Sequence, residues 1–152
     1  MLKPLLHHAV YVFQRIRRAM WFVTRPTTLG VHAVPVTPAG NIVLVKLSYA
    51  RGWRLPGGGR KPHEDPERAI VRELQEEIGL ERCKSVQKVA DFEHRPDFRK
   101  SRSSLFVVHD VVYRPRWSLE IKAVAEFPSG TLPMDTAPIT HRLLAEARHL
   151  LP

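Results

Sequence analysis

Apolar residues recur along this chain with two different periods. In "MLKPLLHHAVYVFQRIRRAMWFVTRP" they return about once per helical turn and stop before Pro26, which a helix does not pass easily. The pattern predicts a helix over about Leu5 to Val23. From Thr28 the period shortens: "LGVHAVPV" and "NIVLVKLSY" read as a hairpin turned by "TPAGN", whose Pro, Gly and Asn suit a tight turn. "GWRLPGGG" reads as a short strand running into a glycine loop. The helical period returns over Pro66–Ile78, with Asp65 placed to cap it, Pro66 in its first turn and Gly79 placed to end it. "KSVQKVADFEHR", "SSLFVVHDVVY" and "SLEIKAVAEF" read as three further strands, and "APITHRLLAEARHLL" as a closing amphipathic helix. This order predicts an α+β sandwich with a mixed β-sheet between helices, plus an N-terminal helix.

Length and composition narrow the class. A chain of 152 residues, 43% hydrophobic and 26% charged, suits one soluble globular domain. The single cysteine, Cys83, excludes an internal disulfide and reads as a buried or incidental thiol. A reducing, cytoplasmic setting is expected. The net charge of +9 sets the prior on partners: nucleic acid, an anionic membrane or a phosphorylated small molecule.

Residues 1–25 stand apart from a domain over residues 26–152. They carry Arg15, Arg17, Arg18 and Arg25 and no acid, with the charges inside and after the apolar stretch. That order does not fit a signal peptide, and arginines interrupt every window long enough to span a membrane. The helix reads as docked on its own domain or a partner subunit, as interfacial on an anionic membrane, or as a targeting peptide. A homodimer contact or a peripheral membrane contact is expected of it, with no part in chemistry.

Six of the fifteen acidic residues gather in "GGRKPHEDPERAIVRELQEEIGL", Gly58 to Leu80, and Glu64 is the first acidic residue of the chain. On the helix, Glu73, Glu76 and Glu77 stand at i, i+3 and i+4 and share one face, away from the stripe of Ile70, Leu74 and Ile78. Like charges at this spacing destabilise a helix by a few tenths of a kcal/mol per pair, roughly. A hard divalent cation resolves that repulsion, because Mg²⁺ and Mn²⁺ take oxygen ligands and retain waters shared with phosphates. Read alone, the cluster also fits an exposed acidic helix.

The surrounding residues separate the two. The stretch runs Gly, five residues, Glu, seven residues, then Arg-Glu-aliphatic-x-Glu-Glu-x-Gly-aliphatic. It is carried here by Gly58, Glu64, Arg72, Glu73, Leu74, Glu76, Glu77, Gly79 and Leu80. In this it resembles the Nudix hydrolases at every defined position of their box, and the element order resembles their α/β/α sandwich over about Thr28 to Leu150. The resemblance implies Glu73, Glu76 and Glu77 as ligands of Mg²⁺ or Mn²⁺, joined by the backbone carbonyl of Gly57. It implies that Arg72 orients a glutamate, that Glu64 braces the loop, and that Gly58 and Gly79 shape the box. The implied reaction is hydrolysis of a nucleoside diphosphate linked to another moiety, such as ADP-ribose, to a nucleoside monophosphate and the phosphorylated moiety. The general base varies in such enzymes: Glu73 or Glu77 in the box, or a later glutamate, for which Glu120 is the candidate and Glu126 the weaker one.

Outside the box the candidates thin out. Pro96 lies sixteen residues past Leu80, where relatives acting on ADP-ribose often carry a proline; it also reads as a plain loop proline. Arg99, in the basic "HRPDFRKSR", is a phosphate-binding candidate, and Trp53 a candidate wall for the nucleoside or a core residue. His63 reads as an exposed loop histidine or as a contact to substrate phosphate, and the adjacent His7 and His8 would catch a metal only by chance. Two further functions stay open: release of pyrophosphate from nucleoside triphosphates, and a non-catalytic module binding nucleotides or RNA.

Overall fold

Strands that are apolar on both faces occupy the middle of the molecule, and helices cover both sides. The computed structural model describes residues 2–24 and 26–152; Arg25 lies outside the described residues. The elements run α1 (Leu2–Thr24), β1 (Thr27–Pro35), β2 (Asn41–Leu47), β3 (Trp53–Arg54), β4 (Gly57–Gly59), α2 (Pro66–Ile78) and β5 (Leu80–Arg82). Then follow β6 (Ser85–His94), a 3-10 turn (Pro96–Phe98), β7 (Lys100–His109), β8 (Val112–Tyr113), β9 (Ile121–Pro128), α3 (Pro138–Ala147) and a last 3-10 turn (Arg148–Leu150).

The strand period of two sorts side chains into two cores. Val31 and Ala33 of β1, Val43 and Val45 of β2, and Phe106 and Val108 of β7 pack with Ile70, Leu74 and Ile78 of α2. The intervening residues, Val34, Ile42, Leu44, Leu105 and Val107, pack with Leu143, Leu144 and Ala147 of α3. This is an α/β/α sandwich. Burying each large aliphatic side chain contributes roughly 1.5–3 kcal/mol.

The strands form the expected mixed sheet and, beside it, a second main sheet. One is ordered β4-β1-β7-β6 and is mixed, with β1 parallel to β7; the other is ordered β3-β2-β9 and is antiparallel. The "TPAGN" segment does turn tightly, with Gly40 N–H donating to Thr37 O. Yet β1 and β2 share only the bridge Val36–Ile42 and then part, so the expected hairpin does not form as a ladder. Each strand is buried on both faces and needs two neighbours of its own. The glycine run is also strand and not loop: Gly57, Gly58 and Gly59 pair antiparallel with His32, Val31 and Gly30. The expected strand over residues 103–113 breaks at Asp110, which has φ 51, and its end pairs with β5 as a separate short ladder.

Helix α1 docks on its own domain, the first of the readings its sequence allows. Phe22 meets Phe98 edge-on at 4.9 Å, the Arg99 guanidinium lies 3.8 Å over the Trp21 ring, and His7 Nε2 is 3.1 Å from Ser118 O. Its outward side leaves Phe13, Ile16, Met20 and Val23 exposed. No described helix is long and apolar enough to cross a membrane.

Candidate active site

Local sequence sets the direction in which α2 presents its carboxylates. Asp65 accepts from the backbone N–H of Glu67 and Arg68 at 2.9 and 3.1 Å, and Pro66 opens the first turn. Gly79 closes the helix at φ 71, a left-handed conformation that costs glycine little, and its N–H donates to Leu74 O. The helix buries Ile70, Leu74 and Ile78, and with them Glu73, which is only 8% exposed.

Arg72 organises the box. Its Nε donates to Glu64 Oε1 at 3.0 Å, its Nη1 to Glu73 Oε1 at 2.7 Å and Glu76 Oε1 at 3.5 Å, and its Nη2 to the Gly59 carbonyl at 3.0 Å. Glu64 also accepts from the Lys61 N–H at 2.9 Å. The Arg72 hydrogen bond, then that N–H, hold the Glu64 carboxyl down at about 2. One guanidinium thereby pins the loop to the helix and holds Glu73 against β4.

The remaining acids are crowded and under-neutralised. Glu77 accepts from the Gly57 N–H at 2.9 Å. Even so, burial first, and then Glu73, Glu120 and Glu76, push its carboxyl up to about 8. Glu73 is raised as well, chiefly by burial, against the pull of Arg72. Glu120 comes from the segment just before β9, where its carbonyl accepts from Ser48 N–H at 2.7 Å and anchors it beside the end of β2. It faces the same space as Glu73, Glu76 and Glu77. Glu126 does not: it accepts from Tyr113 OH at 3.0 Å and Asn41 Nδ2 at 3.3 Å on another part of β9.

Among the described residues no three acidic, histidine or cysteine side chains converge to ligating distance. The donor chemistry nevertheless fits a hard divalent cation. Four carboxylates face one cleft, Arg72 is the one cation bonded to any of them (Glu73 and Glu76) among the described residues, and burial plus mutual repulsion raises Glu73 and Glu77. Glu73, Glu76 and Glu77, with Glu120 nearby, are the residues that would hold it.

These carboxylates lie in a cleft of about 1660 Å³ walled by α1, β1, β4, the end of β2 and the basic segment after β6. Pro96 and Arg99 line it; Trp53 does not. Trp53 packs edge-on against Phe127 at 4.9 Å, under the Lys46 ammonium, and its neighbour on β3, Arg54, faces the cleft instead. Tyr49, Arg54 and His32 line the cleft without having been singled out in the sequence, and Arg17 lines it from α1. Burial, then His94 and Arg54, push His32 down to about 4, so it is neutral near pH 7. Alternation on β3 is the one signal that pointed to Arg54. Nothing local marks Tyr49 or His32. His63 is an exposed loop residue with φ 66, His7 binds Ser118 O at 3.1 Å, His8 stacks near Tyr11, and half-buried Cys83 packs against the α2 core.

The signature described as "NUDIX domain" matches residues 26–142, so the chain belongs to the Nudix family. It is 41% identical over 54 residues to an RNA pyrophosphohydrolase of Methylococcus capsulatus, covering 36% of this chain and 28% of that protein. It is 41% identical over 69 residues to diphosphoinositol polyphosphate phosphohydrolase 3-alpha of Mus musculus, covering 45% and 41%. The chain thus spans well under half the length of these curated relatives. Among solved structures, a MutT NUDIX hydrolase from Burkholderia pseudomallei superimposes with a TM-score of 0.69 at 24% identity, covering 79% of this chain and 97% of that one. A bifunctional NMN adenylyltransferase/ADP ribose pyrophosphatase from Francisella tularensis, complexed with AMP and a Mn ion, superimposes at 0.68 and 16% identity, covering 93% and 47%. At these identities the two structures speak to the fold.

Proposed function

We propose that the chain is a divalent-metal-dependent hydrolase of a phosphoanhydride bond. Its substrate class is a nucleoside diphosphate linked to a second moiety, with a nucleoside monophosphate and the phosphorylated moiety as products. The observation that carries this reading is the delivery of Glu120, from the segment just before β9, to the cleft faced by Glu73, Glu76 and Glu77 of α2. A merely solvated acidic helix has no reason to collect a fourth carboxylate.

A bound Mg²⁺ or Mn²⁺ would neutralise phosphate charge and acidify a water. The chain's own residues do the rest. Arg72 holds Glu73 in one orientation, and the Gly57 N–H holds Glu77. A water oxygen attacks phosphorus, the bond from phosphorus to the bridging oxygen breaks, and the leaving phosphate carries away the electron pair. Glu120 accepts the proton of the attacking water, and Glu77 or Glu73 is the alternative acceptor. Cleft arginines draw in the polyanion.

ADP-ribose and similar nucleotide sugars are the first substrates to test, and the name of the Francisella protein supports including them. Hydrolysis at a triphosphate is the second reading, favoured by eight arginines against four glutamates in the cleft wall. The deciding experiment incubates the full chain with Mg²⁺ and with Mn²⁺ against ADP-ribose, nucleoside triphosphates and 5′-triphosphorylated RNA, and identifies products. Binding without turnover of any of them would leave a non-catalytic nucleotide or RNA module. We place the protein in the cytoplasm. The exposed stripe of α1 is where a homodimer or an anionic membrane surface would make contact. Sedimentation with and without anionic vesicles tests both.

A further inference from the structure

Helix α1 lies outside the matched residues 26–142, yet it forms one wall of the catalytic cleft. It crosses the cleft as a strap fastened at both ends. Near its start, His7 is bound to Ser118 O, two residues before Glu120; near its end, Trp21 and Phe22 pack against Arg99 and Phe98. Between those fastenings the helix turns Gln14, Arg17 and Arg18 into the cleft.

Two partly buried guanidiniums in this cleft make neither an ion pair nor a hydrogen bond among the described residues. The Nε atoms of Arg17, Arg54, Arg60 and Arg99 are all buried and donate to no partner, but Arg60 donates through Nη1 to Glu64 O and Arg99 is engaged elsewhere, which leaves Arg17 and Arg54. Arg17 stacks on Trp21 at 4.5 Å, which positions its plane but uses none of its N–H donors. Arg54 comes from β3 and likewise makes no ion pair among the described residues. Leaving a charged donor buried and unpaired costs free energy, so two of them facing one cleft mark a place built for a bound anion.

The position of that place follows from Tyr49. Tyr49, Glu77, Glu120, Arg17 and Arg54 all line the one cleft, and the Tyr49 hydroxyl lies within electrostatic reach of the other four. The guanidiniums therefore stand next to the carboxylate cluster and not in a separate pocket. A diphosphate seated at the carboxylates would extend past Tyr49 toward them. Guanidinium forks match phosphate oxygens two at a time.

We infer that Arg17 of α1 and Arg54 of β3 form a second phosphate subsite beyond the scissile anhydride, so that the substrate carries at least one phosphate more than the diphosphate being cleaved. The inference rests on the proposed hydrolase reading for the place of the scissile bond, but its own observable is anion binding. Within the proposed class it favours a second moiety that itself carries a phosphate, a contact that ADP-ribose, whose charge ends at the diphosphate, does not make.

The test uses the full chain with Ca²⁺ in place of Mg²⁺ and with phosphate release monitored, so that a cation at the carboxylates seats the diphosphate during the titration. Inorganic tripolyphosphate and inorganic pyrophosphate are titrated calorimetrically into wild type, Arg17→Ala, Arg54→Ala and the control Arg116→Ala, whose residue is exposed and does not line the cleft. Each cleft variant should lose roughly tenfold or more in tripolyphosphate affinity, as expected for charge-assisted hydrogen bonds. It should lose less than about threefold for pyrophosphate, and Arg116→Ala should match wild type for both anions. Arg17→Lys, which keeps the charge and the helix surface, should recover part of the loss if Arg17→Ala disturbs the docking of α1. Equal losses for both anions, or none for tripolyphosphate, overturn the subsite. If tripolyphosphate binding depends on Arg17 while no phosphoanhydride is hydrolysed, the subsite stands and the hydrolase reading falls. If hydrolysis is robust and the arginines are silent in binding, only the subsite falls.

Discussion

The backbone N–H of Gly57 donates to Glu77 Oε2 at 2.9 Å, joining the β4 edge of one sheet to the last turn of α2 across twenty residues of sequence. That bond favours the charged form of Glu77, but burial and three neighbouring carboxylates outweigh it and raise the carboxyl from an ordinary 4.5 to about 8. The site therefore keeps a carboxylate at the edge of ionisation until positive charge arrives.

A stability profile follows from Glu77. A folded value above the unfolded one means a contribution that is complete below pH 4.5 and lost as pH rises through about 8. Metal-free wild type should lose melting temperature over that interval, and Glu77→Gln should be flatter and more stable than wild type at pH 8. Mg²⁺ should raise the melting temperature of wild type at pH 8 and do so far less for the variant. Calorimetric scans across the interval decide it, and identical profiles for the two proteins would discard the crowded-carboxylate account. Turnover by Glu77→Gln and by Glu76→Gln should fall to background with the fold intact.

Glu120 and Glu126 form an internal comparison. Glu120→Gln should lower kcat by roughly 10²–10⁴ with little change in KM, the signature of a lost general base. Glu126→Gln weakens hydrogen bonds from Tyr113 and Asn41 and should cost about 0.5–1.5 kcal/mol of stability with kcat near wild type. Equal and minor kinetic effects from both would return the base to Glu77 or Glu73.

Arg72 can be tested through Glu64. Its folded carboxyl sits at about 2, below the ordinary 4.5, so its contribution is present above pH 4.5 and lost as pH falls through about 2. Arg72→Ala removes the main cause. Wild type should lose more stability than the variant between pH 4.5 and 2 in acid unfolding monitored by circular dichroism. The variant should also lose activity, because Glu73 is no longer held.

Gly58 tests how closely the strand approaches the helix. A Cβ there would stand 2.5 Å from Glu73 Oε2. The carboxylate is the far end of a flexible side chain, so it would move and the fold would survive. Gly58→Ala should therefore cut kcat by more than about tenfold while shifting the melting temperature by only a few degrees, as expected for a cost near 1 kcal/mol. Full activity would show that Glu73 is not needed where it lies.

The sequence by itself determined the parts whose physics is local. Helix α2 was legible to the residue, because its cap Asp65, its Pro66 and its closing Gly79 act within one turn of the chain, as was the shared face of Glu73, Glu76 and Glu77. The double-sided strands and covering helices were legible from periodicity, since burial on each face is a property of alternating side chains. What meets what was decided only in three dimensions. Whether β2 pairs with β1 or with β9 turns on the sum of many backbone hydrogen bonds and two cores, which no short window contains. The same long-range pairing carries Glu120 to Ser48 and so to Glu77, turns Arg54 and not Trp53 into the cleft, and makes the glycine run an edge strand. Helix α1 is the furthest case. Its pattern showed a helix with basic and aromatic faces, but docking Trp21 on Arg99 and His7 on Ser118 requires surfaces about eighty and one hundred and ten residues away to be folded first.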